Sequence, residues 1–266
     1  MSYSLDEAKL EARFILEHVL KITQKEIIQE SGRLIDIKDQ KKIEYILDKR
    51  IGGMPLAYLF GEWSFYGRTF KVHYDVLIPR ADTEILIEKV LSKINMYDSC
   101  DLLDLGCGTG IIGITLALER PLSKVTLVDQ SDNALKNTTD NQLFHQSSNI
   151  MIQKSDWFNS LDQTKFDVIV SNPPYLKESD PHLVDGLEHE PIDALVSDPS
   201  GIKAICHIVE NANNYMKHQG WLFIEHGYNQ AEIVKDLFKK NGYQYIENAK
   251  DIHGVPRVTF GQNSIV

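Results

Sequence analysis

The sequence predicts an α/β fold with a mostly parallel, seven-stranded sheet covered by helices on both faces, preceded by a small helical domain and a β-hairpin. Two observations predict it. From Asp101 onward, seven short runs rich in β-forming residues alternate mostly with helical stretches, as in parallel sheets. Before Trp63, apolar residues recur only at helical spacing. We expect the helical domain at residues 1–60, the hairpin linker at 61–80 and the α/β domain at 81–266.

Helical spacing is clearest in two segments of the leading domain. The first has one apolar face, made of Leu5, Ala8, Ala12, Ile15, Leu16 and Val19. The second segment is marked by Ile43, Ile46 and Leu47. It should end at Gly52 and Gly53, because glycine favours the C-terminus of a helix. These segments predict amphipathic helices that pack as a small bundle.

The hairpin is predicted by residues 61–72, where two short aromatic and β-branched runs flank Gly67 and Arg68. Downstream, Asp82 is expected to cap the N-terminus of a helix. That helix would bury one face, made of Leu86, Val90 and Ile94.

The seven strands of the sheet are expected at residues 102–105, 125–128, 150–153, 168–171, 221–225, 243–247 and 257–260. The last two form the final pair of the chain. Helices fill most of the gaps between the others, which indicates a sheet covered on both faces.

The composition is typical of a globular protein, with 42% hydrophobic and 25% charged residues in 266. The first residues include acids and no apolar core, so we expect no secretory signal. The densest apolar stretch, at residues 111–118, is too short to cross a membrane. We therefore expect a cytoplasmic protein without a membrane anchor, and nothing demands more than a monomer.

The charge is −10 overall and uneven, because 26 of the 38 acidic residues but only 15 of the 28 basic ones follow residue 80. Nucleic-acid-binding proteins usually carry a basic surface, so we expect no direct contact with nucleic acid. The three cysteines, Cys100, Cys107 and Cys206, form no C-x-x-C pair and have no zinc-site spacing. We expect reduced thiols and no bound metal.

A glycine loop follows the first predicted strand of the sheet. The segment begins with Asp104 and Leu105. The loop itself is Gly106, Cys107, Gly108, Thr109 and Gly110. Alternate glycines let the backbone turn sharply and let a ligand approach the main chain. The next helix should begin near Ile111, with its N-terminus towards that ligand. A tight turn without a ligand is the alternative, but three alternating glycines exceed what a turn needs.

The loop indicates an adenosine cofactor. Residues 108–113 also satisfy G-x-G-x-x-G, the dinucleotide fingerprint, and Asp129 follows Gly110 by 19 residues at the end of the second strand. A carboxylate there can bind ribose hydroxyls. These features do not choose between NAD and S-adenosylmethionine.

Two further segments favour S-adenosylmethionine, with S-adenosylhomocysteine as product. Asp104 would oppose a pyrophosphate but can lie near the amino group and sulfonium of S-adenosylmethionine. After the third strand, Asp156 could accept a hydrogen bond from the adenine amino group. Trp157 could pack on the adenine ring, although core packing fits it equally well. We expect both, with Asn172, to border the cofactor.

The fourth strand ends in Asn172, Pro173, Pro174 and Tyr175. The prolines end the ladder and fix a rigid turn without N–H groups. The Asn172 side-chain oxygen and the Pro173 carbonyl could hold both N–H groups of an amide or exocyclic amine and favour a developing cationic nitrogen. Tyr175 would cover the planar group. We interpret Asn172, Pro173 and Tyr175 as catalytic and all four as substrate-binding, the alternative being a structural Pro-Pro turn.

At this point the chain resembles the peptide-chain release-factor glutamine methyltransferases, with their class I, Rossmann-like S-adenosylmethionine-dependent core. Beyond the motifs above, the resemblance covers residues 61–66, 77–80, 82–84, 190–191, 194–195, 225–227 and 257–259. Two positions depart from the family pattern. Ala81 replaces a frequent proline, and Cys107 stands where threonine is frequent.

The resemblance implies that the substrate is the glutamine of the Gly-Gly-Gln motif in class 1 release factors. It implies that residues 106–110, Asp129 and Trp157 line the cofactor and that residues 172–175 hold the glutamine. The helical domain and the hairpin would dock the release factor. The Asn-Pro-Pro-Tyr segment also occurs in DNA adenine and ribosomal-RNA guanine methyltransferases, so a nucleic-acid amine methyltransferase is the alternative. A non-catalytic adaptor and a dehydrogenase are less favoured.

Overall fold

The computed structural model describes residues 4–29, 32–184 and 186–264. The chain forms two compact units. One comprises the described residues up to Gly61 together with those of Pro181–His189. The other comprises Glu62–Asp180 and the described residues from Glu190 onward.

The first unit contains helices, as the apolar spacing predicts. They are α1 (Leu5–Leu20), α2 (Gln24–Gln29), α3 (Ile37–Ile51) and α4 (Leu56–Phe60). Ser4 and Glu7 form a capping box at the start of α1. Helix α3 ends at Gly52, as predicted. The Arg50 guanidinium joins α3 to α1 through Glu11, with 2.7 Å between Nη2 and Oε1.

The second unit begins with the predicted hairpin, of strands β1 (Glu62–Phe65) and β2 (Arg68–Lys71). Its turn consists of Tyr66 and Gly67, with φ of 50° and 67°. The predicted turn at Gly67 and Arg68 was therefore wrong by one residue. Two-residue hairpin turns that match the strand twist need positive φ at both positions, and Arg68 already pairs with Phe65.

Helix α5 (Glu84–Lys93) buries the predicted face, since Leu86, Val90 and Ile94 are all in the core. The predicted N-cap Asp82 was wrong. A 3₁₀ turn, Ala81–Thr83, precedes the helix, and Thr83 occupies the cap position. Asp82 lies within that turn and instead forms an ion pair with Arg257, at 3.1 Å.

The central sheet has all seven predicted strands. They are β3 (Asp101–Leu105), β4 (Lys124–Asp129), β5 (Ile150–Lys154), β6 (Phe166–Ser171), β7 (Met216–Glu225), β8 (Gln244–Lys250) and β9 (Pro256–Gln262). Strand β7 begins five residues before the predicted start at Trp221. Its first half was not predicted because it contains polar residues and Gly220 instead of an apolar run. The order is β5-β4-β3-β6-β7-β9-β8. Strand β9 is antiparallel to both β7 and β8, and the other pairs are parallel.

The remaining helices are α6 (Ile111–Glu119), α7 (Asp132–His145), α8 (Ile192–Leu195), α9 (Lys203–Ala212) and α10 (Ala231–Lys240). The sheet separates two apolar clusters. Leu102 of β3 belongs to one cluster and Leu103 to the other. The strand is therefore buried on both faces, as predicted for a parallel sheet. Within the described ranges, no helix is long and apolar enough to cross a membrane.

Chain order in the sheet reverses between β3 and β6. Ligands of open α/β sheets bind at such a switch point, beyond the carboxyl ends of the strands. This edge gathers the segments that follow β3, β4, β5 and β6. The segments that carry the predicted site residues therefore meet at this edge.

Candidate active site

A cavity of about 560 Å³ opens at this edge, entirely within the second unit. Four strand ends contribute to it: β3, β4, β5 and β6. Two further segments, residues 75–77 and 191–194, complete the wall.

The structure brings eight of the predicted site residues to this cavity. They are Gly106, Gly108, Asp129, Asp156, Trp157, Asn172, Pro173 and Pro174. The other five do not line it and lie behind the lining: Asp104, Cys107, Thr109, Gly110 and Tyr175. Their predicted contacts with cofactor or substrate stay predictions.

The glycine loop approaches the cavity with its main chain. Gly106 and Gly108 have φ of 72° and 56°, a region that favours glycine. A Cβ atom on Gly106 would lie 3.5 Å from the Trp157 ring. The main chain of the loop and the Trp157 ring therefore lie side by side at the cavity.

Asp129 closes the loop from the end of β4. Its Oδ2 accepts a hydrogen bond from Gly108 N and its Oδ1 one from Ser131 N, each at 2.9 Å. Burial raises its pKa, and these backbone bonds lower it. Each carboxylate oxygen keeps a second acceptor position, which suits a ligand with paired hydroxyls.

Asp104 is buried beneath the loop, with no exposed surface. Its Oδ2 accepts a hydrogen bond from Gly113 N at 2.8 Å, and burial raises its pKa to about 7. Its Oδ1 has no partner among the described residues. The carboxyl thus anchors the first turn of α6, in a position that the sequence did not predict.

The segment after β5 is a tight turn. The Ser155 hydroxyl donates to the Trp157 carbonyl at 2.7 Å, and Trp157 has a φ of 49°. The Trp157 ring borders the cavity and also packs against the apolar cluster that contains Leu103. The ring therefore packs in the core and also borders the cavity, and its contact with an adenine ring stays a prediction. Asp156 is exposed, and one of its oxygens accepts from Asn159 at 3.1 Å.

Asn172 is tied from behind to two buried residues. Its Nδ2 donates to Thr83 Oγ1 at 3.3 Å. The Glu225 carboxyl also shares side-chain hydrogen bonds with Thr83 and Asn172, which lower its pKa. Burial acts more strongly and raises that pKa to about 7. Asn172 lines the cavity, and because its amide N–H₂ is used in this way, Oδ1 is the end of the amide left free to accept from a ligand.

The sequence analysis gave Thr83 and Glu225 no role, although both lie in segments that carry the family resemblance. One signal could have found Glu225. It is a carboxylate at the end of a buried strand of the sheet, like Asp129 at the end of β4.

Tyr175 does not line the cavity, and its backbone carbonyl is held by a neighbouring side chain. Its carbonyl accepts from Gln230 Nε2 at 3.0 Å. Burial raises the pKa of its hydroxyl, and the negative charge of Glu225 adds to that effect. The hydroxyl therefore stays protonated throughout the physiological pH range.

The outer wall is fixed by Glu190, which is buried. This carboxylate pairs with the Arg80 guanidinium and accepts from Ile78 N at 3.0 Å. It thereby joins the segment before α5 to the segment that begins at Pro191. Both wall segments overlap residues that carry the family resemblance, but the sequence analysis assigned neither of them to the site.

The cavity is acidic. Its described lining includes four carboxylates, those of Asp75, Asp129, Asp156 and Asp193, and no Lys, Arg or His. Such a lining favours a cationic ligand and opposes phosphate groups. Among the described residues, no group of three or more His, Cys, Asp or Glu could hold a metal ion.

Comparison with known proteins agrees with this geometry. A methyltransferase from Pyrococcus furiosus matches 86% of this chain and 99% of its own, with a TM-score of 0.57 and 17% identity. A 16S rRNA N2 G1207 methyltransferase of T. thermophilus matches 76% of this chain and 49% of its own, with a TM-score of 0.57 and 16% identity. At these identities the likeness concerns the fold alone. The fold is therefore the class I, Rossmann-like fold of these methyltransferases, with the cavity at its switch point.

The sequence comparisons are more specific. The chain matches the methyltransferase small domain over residues 81–249 and the PrmC N-terminal domain over residues 2–61. It is 37% identical to the release factor glutamine methyltransferase of Salmonella typhimurium, covering 97% of this chain and 93% of that protein. It is 39% identical to the one of Vibrio cholerae, covering 97% and 90%. The chain belongs to the release factor glutamine methyltransferase family.

Proposed function

We propose that this chain transfers a methyl group from S-adenosylmethionine to the side-chain amide nitrogen of a glutamine, the one in the Gly-Gly-Gln motif of class 1 peptide chain release factors. One observation supports the proposal. Asn172 lines an acidic cavity, and its amide nitrogen is held by Thr83 and Glu225, which leaves its oxygen free to accept a hydrogen bond. Family membership agrees with this activity.

The cavity residues fit S-adenosylmethionine, which supplies a methyl group on a positively charged sulfur. Asp129 would hold the ribose hydroxyls, and the Trp157 ring would cover the adenine. The main chain at Gly106 and Gly108 would line the rest. The four carboxylates of the lining, with no cationic side chain, suit the positive ligand and would oppose the pyrophosphate of NAD.

Asn172 Oδ1 and the Pro173 carbonyl would accept the two N–H groups of the glutamine amide. These acceptors stabilise the positive charge that develops on nitrogen as its lone pair becomes localised. Pro173 and Pro174 keep the loop rigid, so alignment of the nitrogen costs little reorganisation. The methylated nitrogen then loses one proton, which an acceptor or water can take because the cationic amide is a strong acid. Tyr175 would exclude water from this end of the loop.

The first unit would dock the release factor. It exposes Leu34 and Ile51, which are 95% and 83% accessible. Large exposed apolar side chains support a protein-binding surface. We further propose that the chain acts as a monomer, in the cytoplasm, without direct contact to nucleic acid.

A transfer assay with labelled S-adenosylmethionine tests the proposal. The acceptors are a release factor, the same factor with the Gly-Gly-Gln glutamine changed to alanine, undermethylated ribosomal RNA, and DNA. We expect label on the intact factor only, lost in Asn172→Ala. Asn214→Ala is the matched control, because Asn214 is exposed just before β7, at the opposite edge of the sheet.

Label on nucleic acid instead of the release factor would contradict the proposal. The Asn172 and Pro173 acceptors would then hold the exocyclic amine of a base. Label on the factor that lacks the glutamine would contradict it as well, because the methylated residue would lie elsewhere.

A further inference from the structure

We propose that Glu225, together with Thr83, is a positioning residue that fixes which end of the Asn172 amide faces the cavity, so that the site selects a carboxamide over a carboxylate. The inference rests on the proposed function, in which Asn172 accepts a hydrogen bond from a glutamine. It explains how the site would distinguish glutamine from glutamate, which differ only in having a terminal carboxamide or a terminal carboxylate.

The hydrogen-bond inventory of Asn172 supports this assignment. Its Nδ2 carries two hydrogens and faces two acceptors, the Thr83 hydroxyl at 3.3 Å and the Glu225 carboxylate. The single Thr83 hydroxyl hydrogen is then left to donate to Glu225. The two Asn172 amide hydrogens and the Thr83 hydroxyl hydrogen therefore each have an acceptor, either Thr83 or Glu225.

An Asn172 amide turned by 180° would lose its hydrogen bonds to Thr83 and Glu225. Its oxygen would face the Glu225 carboxylate, acceptor against acceptor, and its N–H₂ group would face the cavity. Thr83 and Glu225 are only 1% and 2% exposed, so water cannot replace the lost bonds. An asparagine amide is nearly symmetric in shape, so its orientation depends on partners of this kind.

Among the described residues, Glu225 has no ion pair that would explain a carboxyl at this buried position. The nearby Arg257 guanidinium pairs with Asp82 at 3.1 Å and with Asp251 at 3.0 Å instead. Glu225 Oε2 has no hydrogen-bond partner among the described residues. Burying such a group without full pairing is costly, which indicates a role other than fold stability.

The fixed amide determines what the cavity accepts. Asn172 Oδ1 and the Pro173 carbonyl are both acceptors, so they match the two N–H donors of a glutamine. A glutamate carboxylate would bring only further acceptors and a negative charge. A freed Asn172 amide could turn its N–H₂ group outward and accept that carboxylate.

The test is a binding measurement, with the full-length chain saturated with S-adenosylhomocysteine so that no transfer occurs. Calorimetry gives the Kd for a release factor and for the same factor with its Gly-Gly-Gln glutamine changed to glutamate. We expect the wild-type chain to prefer glutamine by at least about tenfold, as for one well-placed pair of polar contacts. In Glu225→Leu and in Thr83→Val, that ratio should fall at least about fivefold.

Matched variants separate positioning from general damage. Glu225→Gln keeps one acceptor oxygen and should therefore retain more of the ratio than Glu225→Leu, and Thr83→Ser, which keeps the hydroxyl, should retain all of it. Glu232→Leu makes the same change at an exposed position of α10 and should have no effect. The Kd for S-adenosylhomocysteine should stay within about twofold in each variant, which shows that the cavity is intact.

An unchanged glutamine preference in both Thr83→Val and Glu225→Leu would overturn the inference while leaving the proposed function standing. Thr83→Val preserves side-chain volume, so it decides the matter even where Glu225→Leu fails to fold. A wild-type chain that binds the two factors equally would also overturn the inference, whereas the proposed function fails only if the transfer assay places no label on the intact release factor.

Discussion

Asn172 and Thr83 are 89 residues apart in the chain, yet Asn172 Nδ2 donates to Thr83 Oγ1 at 3.3 Å. This bond joins the loop after β6 to the turn before α5. Both residues also contact the Glu225 carboxyl at the end of β7. The orientation of one amide at the cavity therefore depends on three separate segments.

Asn172→Asp tests the need for an amide at this position. The substituted carboxylate has no hydrogen for Thr83 or Glu225 and adds a second negative charge beside Glu225. We expect kcat to fall at least about 100-fold, because a preorganised group that stabilises transition-state charge is lost. S-adenosylmethionine binding should change far less. Asn214→Asp, with the same change at an exposed site, should behave as the wild-type chain, and equal losses in both variants would contradict this role.

The activity should depend on the ionisation of Glu225, whose pKa burial raises to about 7. The ionised form accepts the hydrogen bonds that orient Asn172, so kcat/KM should rise with pH through about 7 and then level off. The charged or titratable groups that face Glu225 are Asp82, Arg257 and Tyr175. Burial keeps the pKa of Tyr175 raised, so its hydroxyl stays neutral across this range.

The Glu225→Gln variant identifies the group that titrates. Glutamine keeps one acceptor oxygen, as the protonated carboxyl does, and does not ionise, so the rise near pH 7 should disappear and kcat/KM should stay near the low-pH level of the wild-type chain. Asp104→Asn is the control, because burial raises the pKa of Asp104 to about 7 as well. If the rise disappears in Asp104→Asn and persists in Glu225→Gln, Asp104 is the group responsible.

Asp104 should make the protein less stable as pH increases. Its folded-state pKa, about 7, lies above the ordinary value of 3.8, so the folded chain binds more protons than the unfolded chain between these limits. The free energy of unfolding then falls with pH, by up to about 1.4 kcal/mol per pH unit from this group. In Asp104→Asn that slope should become shallower in urea unfolding between about pH 4 and pH 7. An unchanged slope would show that Asp104 is already ionised in the folded chain.

The acidic cavity should distinguish the charged methyl donor from its neutral product. Raising salt from about 0.05 M to about 0.5 M should weaken S-adenosylmethionine binding more than S-adenosylhomocysteine binding, because screening acts on charge pairs. Asp193→Asn should raise the Kd for the donor by about two- to fivefold and leave that for the product nearly unchanged. Calorimetry measures both. Equal effects on donor and product would show that the carboxylates do not act through the charge of the ligand.

The sequence predicted the parts of the site that are contiguous in the chain. The glycine loop, Asp129 and the segment at Asn172 each follow a strand whose apolar run marks it. Since parallel strands end at one edge, their convergence at the cavity follows from the strand pattern alone. The strands of the sheet could be predicted because each contains such an apolar run.

Contacts between distant segments could not be predicted in this way. No local pattern shows that Thr83 lies beside Asn172, or that Glu190 fixes the wall that begins at Pro191. Asp82 has the residue type of an N-cap, but the 3₁₀ turn before α5 moves the cap to the next residue. Tyr175 follows the two prolines directly, yet it does not line the cavity.

The most direct test of the central claim is to locate the methyl group by mass spectrometry. A release factor is treated with S-adenosylmethionine and the wild-type chain or Asn172→Ala, and its peptides are then fragmented. We predict one added methyl group, on the side-chain amide of the Gly-Gly-Gln glutamine, present with the wild-type chain and lost with Asn172→Ala. A methyl group on any other residue, or an equal yield with both chains, would contradict the account.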